Sequence, residues 1–188
     1  MSDERPGLSE RGIRIAAVGH RDAGNGERAV AVRSVLESVL GARPGAPRIP
    51  GIILSALAEG ADRLVAEVGL AFSGTELHAL LPLPPEDYRR DFATADSRAE
   101  FDALLARASS VEVLPPPGTR EAAYANVGRA LVDRCDVVVA IWDGGPARGP
   151  GGTADVVAYA RETGRPLHWI HSEDPSRVVA ERIGIEPG

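Results

Sequence analysis

A glycine-rich loop follows a fully apolar segment in the C-terminal third of the chain. The apolar segment is Val137 to Trp142, the loop runs from Gly144 to Gly152, and Thr153 begins an amphipathic segment. This order predicts a buried parallel strand, a tight turn and a helix. Glycines let a ligand approach the backbone, and the N–H groups at a helix start favour an anion, most often a phosphate. We expect Gly151, Gly152 and Thr153 to hold a phosphate; the alternative is a strand-to-helix turn without a ligand.

Two familiar phosphate-binding motifs are absent from this loop. No lysine follows the glycines, as a Walker A loop requires, and all 21 basic residues of the chain are arginines. The loop also lacks the G-x-G-x-x-G spacing of dinucleotide-binding folds. The loop therefore predicts a phosphate site of another kind.

Apolar runs alternate with helical patterns along the whole chain. Short apolar runs occupy 13–18, 52–54, 77–81, 111–114, 137–141 and 166–170. Between them, apolar residues recur at helical spacing, and 173–182 could form a last helix. This alternation predicts an α/β fold: a Rossmann-like, doubly wound, mostly parallel sheet of about six strands with helices on both faces. We expect residues 1–12 to form a flexible tail and residues 13–188 a single domain.

Polar and glycine residues follow several of the predicted strands. In doubly wound sheets, ligands bind beyond the carboxyl ends of the strands, so these residues should converge on one edge. Besides the glycine loop, the candidate ligand-binding residues are Gly19, His20, Arg21, Ser55, Glu59, Gly60, Asp62, Trp142, Asp143 and Gly144.

Each of these side chains has a chemical role and a structural alternative. Arg21 could close over a phosphate as a planar fork, and Asp143 could accept hydrogen bonds from a ribose. The alternatives are that Arg21 is an ordinary surface side chain and that Asp143 caps a turn. Trp142 could wall a base pocket or belong to the core. Tyr88 and Arg89, after the third strand, could form a lid over the site.

Composition limits the classes of partner. The net charge of −6 counts against nucleic acid as a partner. Four scattered histidines and one cysteine predict neither a metal site nor a disulfide. No apolar stretch approaches 18 residues and the N-terminus lacks a signal-peptide core, so we expect a cytoplasmic protein without a membrane span.

Two motifs carry a family resemblance. The segment 149–153, GPGGT, resembles the P-G-G-x-G-T signature of Lonely-guy (LOG) phosphoribohydrolases, and 55–62, SALAEGAD, is similar to a turn of the DNA-processing protein A family. Both families belong to the SLOG superfamily of Rossmann-like nucleotide-binding domains. The resemblance implies a nucleotide-derived ligand rather than a cofactor, such as an ADP-ribose-like, NAD-derived or cyclic nucleotide. It also implies a homodimer or higher homo-oligomer, with or without an effector protein, and leaves single-stranded DNA binding as a weaker alternative.

The resemblance fails at one catalytic position. LOG enzymes carry a catalytic glutamate three residues after the signature threonine, and deoxyribosyltransferases carry a nucleophilic glutamate at the matching place; here the residue is Val156. An alkyl group neither attacks nor stabilises a developing positive charge. We therefore expect a sensor or binding module. The alternative is an N-glycosidic nucleotide hydrolase or transferase in which another residue acts, with Asp143, Glu59, Asp155 and Arg120 as candidates.

Overall fold

The computed structural model of the chain describes residues 12–23, 26–41, 51–114, 118–147, 149 and 151–181. The predicted tail, 1–12, lies outside these residues except for Gly12, and so do Arg148 and Pro150 of the glycine loop.

Seven strands of the described residues form one sheet in the order β4-β3-β2-β1-β5-β6-β7. Strands β1 to β6 are parallel and β7 pairs antiparallel with β6. The strands are β1 (Arg14–Gly19), β2 (Ile52–Ser55), β3 (Glu76–Leu81), β4 (Ser110–Val113), β5 (Val137–Trp142), β6 (Leu167–His171) and β7 (Val178–Glu181). The predicted Rossmann-like, mostly parallel α/β fold is confirmed.

In the part of the chain that the structure describes, six α-helices lie between the strands. They are α1 (Gly26–Gly41), α2 (Ala61–Leu70), α3 (Pro85–Tyr88), α4 (Ala95–Arg107), α5 (Arg120–Arg134) and α6 (Thr153–Glu162), and a short 3-10 helix (Arg89–Asp91) follows α3. Thr94 and Thr119 cap α4 and α5, each accepting a hydrogen bond from a first-turn N–H group.

The sheet separates two apolar cores, because alternate residues of a strand point to opposite faces. In β1, Ala17 joins the core formed with α1, α2 and α4, whereas Ala16 and Val18 join the core formed with α5 and α6. All three residues are at most 5% exposed. Burial on both faces explains why inner strands such as β1 and β5 are recognisable as continuous apolar runs, whereas the edge strand β4 is exposed.

The predicted last helix is wrong. Residues Val178–Glu181 form the antiparallel strand β7 at one edge of the sheet. Pro175 lies within the predicted helix, where it would remove a helical hydrogen bond, and the adjacent Val178 and Val179 favour a strand.

The chain reverses its direction of travel across the sheet between β1 and β5. Strands β2, β3 and β4 are added on one side of β1, and α5 then carries the chain back so that β5 pairs on the other side. The loops after β1 and β5 leave in opposite directions, which opens a crevice at the carboxyl ends of these strands.

Candidate functional site

A cavity of about 420 Å³ lies at this crevice. Its size falls within the range of small-molecule pockets. The described residues that line it are Val18, Gly19, His20, Arg21, Asp22, Ala56, Ala58, Asp62, Pro82, Tyr88, Tyr124, Val127, Gly128, Leu131, Pro146, Ala147, Gly149, Gly151, Gly152, Thr153, Ala154 and Val156. The cavity thus joins the loops after β1, β2, β3 and β5 with one side of α5 and the start of α6.

The loops after β1 and β2 pack backbone against backbone. The Ala61 N–H donates to the His20 carbonyl at 3.1 Å. A Cβ atom on Gly60, whose φ is +78°, would lie 2.2 Å from the Arg21 carbonyl oxygen, and one on Gly19 would lie 2.4 Å from the Ala61 Cβ. Glycine is required at both positions, because any side chain would push the two loops apart.

The glycine loop packs against the first turns of α5. Gly151 has a φ of +74°, and a Cβ there would lie 2.6 Å from the Ala125 nitrogen. The Gly151 N–H donates to Asp155 Oδ2 at 3.0 Å, and the Gly152 N–H donates to the Gly149 carbonyl at 3.0 Å. These two donors are thus engaged within the loop. The Asp155 N–H also donates to the Gly152 carbonyl, at 3.0 Å. The Thr153 hydroxyl and the N–H groups of Thr153 and Ala154 are the groups at this end suited to an anion, and the Asp155 carboxylate lies in the same turn.

Asp62 is a buried carboxyl group on the cavity wall. Burial raises its pKa from 3.8 to about 7, although the N–H groups of Ala58 and Ala56 donate to it and the charges of Arg21 and Arg63 act in the opposite direction. Tyr88, also buried, has a raised pKa because of burial and the nearby Asp62 charge. The cavity therefore contains one acid whose charge changes near neutral pH.

Arg21 and His20 line the cavity from the loop after β1. Arg21 is 53% exposed and its Nη1 lies 3.9 Å from Glu59 Oε2, a loose pair that leaves the guanidinium able to turn toward a ligand. His20 is buried, and its Nε2 lies 3.6 Å from Asp143 Oδ1. Asp143 Oδ1 also accepts the Gly145 N–H at 2.7 Å, so Asp143 shapes the turn after β5.

Seven of the predicted residues line the cavity and six others do not. The lining residues are Gly19, His20, Arg21, Asp62, Gly151, Gly152 and Thr153. The described lining does not include Ser55, Glu59, Gly60, Trp142, Asp143 or Gly144.

Three of these outlying residues have visible structural roles. The Ser55 hydroxyl accepts the Leu57 N–H at 3.0 Å and donates to the Asp62 carbonyl, which fixes the turn after β2. Trp142 packs in the core beside Trp169, with ring centroids 5.5 Å apart, instead of forming a pocket wall. The Glu59 carboxylate accepts a short hydrogen bond from the Ser97 hydroxyl.

Arg120 ties the start of α5 to the segment after β3. Its Nη2 donates to Asp91 Oδ1 at 2.7 Å, its Nη1 to Asp87 Oδ2 at 3.3 Å and its Nε to the Tyr124 hydroxyl at 3.2 Å. The guanidinium is thus held by two carboxylates beside the cavity and does not line it. Tyr88 is 1% exposed, so it belongs to the cavity wall and is not the mobile lid that we considered.

Sequence reasoning missed the contribution of α5. Tyr124, Val127, Gly128 and Leu131 line the cavity from this helix. The helical stripe of Tyr124, Val127 and Leu131 is visible in the sequence, but a stripe that faces a cavity has the same period as one that faces the core. The glycine at 128 is the feature of the sequence that indicates a close approach of this helix to a neighbour. In the structure, a Cβ on Gly128 would lie 2.7 Å from Val156 Cγ2, so α5 and α6 pack closely there.

Within the described ranges, no helix is long and apolar enough to cross a membrane, and no group of three or more His, Cys, Asp or Glu side chains is arranged to hold a metal ion.

The fold is similar to that of a DNA-binding protein. No protein-family model and no curated protein matches the chain. A solved structure of DNA processing protein A from Helicobacter pylori, described for its single-stranded DNA binding mode, superposes with a TM-score of 0.55 at 16% sequence identity. The match covers 86% of this chain and 66% of that chain, slightly under two thirds of it. At this identity the similarity shows the shared Rossmann-like fold.

The similarity overturns one expectation. We took the net charge of −6 to count against nucleic acid as a partner. A protein of this fold binds single-stranded DNA, so the argument from total charge is wrong as an exclusion. Binding depends on the local arrangement of charges, which the total does not reveal.

Proposed function

We propose that the chain binds a nucleotide or nucleotide-derived ligand in the cavity at the carboxyl ends of the strands. The single observation that carries the proposal is the cavity itself, which is lined by four strand-end loops, one side of α5 and the start of α6. A phosphate would meet the Thr153 hydroxyl and the positive end of α6, with Arg21 closing from the other side. The resemblance to the SLOG superfamily supports the same class of ligand.

The lining of the cavity supports binding without turnover. Val156 lies at the position of the catalytic glutamate in the resembling enzymes; it lines the cavity and is 7% exposed. The Val156 side chain packs against Gly128, so this apolar group forms part of the contact between α5 and α6. In this proposal the ligand is held intact, as in a sensor or binding module.

Thermal unfolding with a panel of AMP, ADP-ribose, NAD and cyclic nucleotides tests the proposal. A ligand at 100 times its Kd stabilises the fold by about 2.7 kcal/mol, which for this chain length raises Tm by about 5 to 10 °C. Arg21→Ala should weaken binding about tenfold, because a guanidinium contact to phosphate is lost. Arg28→Ala, on the exposed side of α1, is the matched control.

The state of the recovered ligand separates binding from catalysis. Mass spectrometry should find the bound nucleotide intact after incubation. Release of free base would contradict the binding module and favour an N-glycosidic enzyme. If none of the nucleotides raises Tm, the proposal fails.

The similarity to DNA processing protein A favours single-stranded DNA as a second candidate ligand. An oligonucleotide titration at several salt concentrations tests it, since each neutralised phosphate of a single strand contributes about 0.7 to the slope of log K against log salt. A slope near zero, or no binding at low salt, would reject this candidate.

A further inference from the structure

The turn after β2 directs two backbone donors at one side chain of the cavity. The N–H groups of Ala56 and Ala58 both donate to the Asp62 carboxyl group, and all three residues line the cavity. Backbone N–H groups that converge in a turn form a concave site for an anion. The two donors precede α2 and are not N–H groups of that helix. The Asp62 carboxyl group therefore occupies a site made by the turn and does not cap α2.

The shape of this turn is fixed by contacts that do not involve the Asp62 carboxyl group. Leu57, between the two donors, is fully buried and has a φ of +57°, which leucine rarely adopts. Its N–H donates to the Ser55 hydroxyl at 3.0 Å, and its carbonyl accepts the Arg63 Nε at 3.1 Å. Ser55 and Arg63 are themselves buried. We therefore expect the two donors to keep their directions when the Asp62 side chain moves away.

Burial disfavours the charged form of Asp62 in this site. The pKa of Asp62 is raised to about 7, although the two N–H donors and the charges of Arg21 and Arg63 favour the ionised form. Tyr88, which also lines the cavity, is uncharged at neutral pH, because burial and the Asp62 charge raise its pKa. The same donors and arginines would stabilise a ligand anion that stays ionised at neutral pH.

Two guanidinium groups act on the site from different elements. Arg21 is 53% exposed and its Nη1 lies 3.9 Å from Glu59 Oε2, so this side chain is able to turn toward an anion. Arg63 Nη1 lies 3.2 Å from Glu100 Oε2, and Arg63 Nη2 is buried without a hydrogen-bond partner among the described residues. Neither glutamate belongs to the described lining of the cavity. The positive groups therefore lie closer to the turn than the carboxylates that pair with them.

We propose that the turn after β2 is an anion-binding site that Asp62 occupies when no ligand is bound, and that an anionic oxygen of a ligand, from a phosphate or a carboxylate, displaces Asp62 from the Ala56 and Ala58 N–H groups. Asp62 then acts as a built-in competitor of the ligand. This inference goes beyond the proposed function, because it assigns an anion site apart from the start of α6 and a side chain that opposes binding there.

NMR titration of the isotope-labelled, unaltered protein at pH 8 tests where an anion binds. Sulfate is the probe for a phosphate, since its charge is constant at this pH, and acetate is the probe for a carboxylate. We expect the amide signals of Ala56 and Ala58 to shift with at least one of the two anions, and the comparison identifies the source of the anionic oxygen. If neither anion moves these two signals, the proposal is overturned.

Two substitutions separate displacement from simple loss of charge. Asp62→Asn and Asp62→Ala both remove the negative charge, but only Asp62→Asn keeps an acceptor for the two N–H groups. The anion that shifts the two amides should therefore bind about tenfold more tightly to Asp62→Ala than to Asp62→Asn in calorimetry. Asp96→Ala, at an exposed carboxylate of α4, is the control and should stay within about twofold of the unaltered protein. Equal affinities of the two Asp62 variants would show that Asp62 acts through its charge alone and would overturn the proposal.

Failure of this inference is distinguishable from failure of the proposed function. If no nucleotide raises Tm while sulfate or acetate shifts the Ala56 and Ala58 amides, the proposed function fails and the anion site stands. If nucleotides bind but neither anion moves these amides, the anion site fails and the proposed function stands. The NMR titration uses the unaltered protein, so this test does not depend on the folding of Asp62→Ala.

Discussion

The carboxyl group of Asp62 makes the free energy of unfolding depend on pH. The substitution Asp62→Asn removes this dependence and so measures its size. The pKa of Asp62 is raised from 3.8 to about 7 in the folded protein, chiefly by burial. The folded state therefore holds the proton more tightly than the unfolded chain. The stabilising contribution is complete below about pH 4, where the unfolded group is also protonated, and is lost as the pH rises through about 7.

The size of the effect follows from this shift. Between pH 5 and pH 7 the contribution falls by about 1.1 kcal/mol per pH unit, below the limit of about 1.36 because Asp62 is partly ionised near pH 7, and it levels off near pH 8. Asp62→Asn has no such titration. The free energy of unfolding of the variant, minus that of the unaltered protein, should therefore increase by about 2.5 kcal/mol from pH 5 to pH 8. Loss of one acceptor for the Ala58 and Ala56 N–H groups adds an offset that is the same at both pH values.

Urea unfolding at pH 5, 6, 7 and 8 measures this difference, and other titrating groups cancel between the two proteins. Asp96→Asn, at an exposed carboxylate in the first turn of α4, is the control and should give a difference that does not change over this range. A flat difference for Asp62→Asn would refute the reasoning, because it would mean that the native Asp62 ionises as it does in the unfolded chain.

Three further predictions concern the same site. Gly151→Ala should abolish nucleotide binding and destabilise the fold by about 1 to 3 kcal/mol in urea unfolding, because the new Cβ would meet the Ala125 nitrogen at 2.6 Å at a positive φ. Thr119→Ala should cost about 1 kcal/mol in the same assay, since the Ala122 N–H loses its capping partner, with nucleotide Kd within about twofold. The ratio of nucleotide Kd in the unaltered protein to that in Asp62→Asn, measured by calorimetry, should rise between pH 6 and pH 8 as Asp62 becomes negative; the ligand's phosphate, with a second pKa of about 6, titrates in the same way in both titrations and cancels in the ratio.

The parts of the site that the sequence predicts are those fixed by strand order alone. His20 lies in the loop after β1, Asp62 lies in the first turn of the helix after β2, and Thr153 begins the helix after the glycine loop. Parallel strands bring such loops to one edge wherever they occur in the chain. No knowledge of side-chain orientation was needed to place them at the cavity.

The positions of residues whose role depends on the direction of the side chain could not be predicted from strand order. Trp142 is the last residue of β5 and Asp143 follows it, yet Trp142 packs in the core and Asp143 accepts a hydrogen bond in the turn at Gly145. Tyr124 enters the site from a helix that crosses back over the sheet, and its orientation depends on Asp91, 33 residues away. Such contacts are set by tertiary packing, which neither propensity nor periodicity records.

The distribution of charge around the cavity bears on which of the two candidate ligands fits. A single strand needs cations along a groove, because each phosphate it presents is charged. Among the described residues, Arg21 and Arg90 are 53% and 79% exposed, and each is paired with a carboxylate at 3.5 to 3.9 Å. Asp62 and the Asp87 and Asp91 pair add negative charge at and beside the cavity. We expect an oligonucleotide that binds in the cavity to compete with AMP, and calorimetric titration of the oligonucleotide with and without saturating AMP measures this.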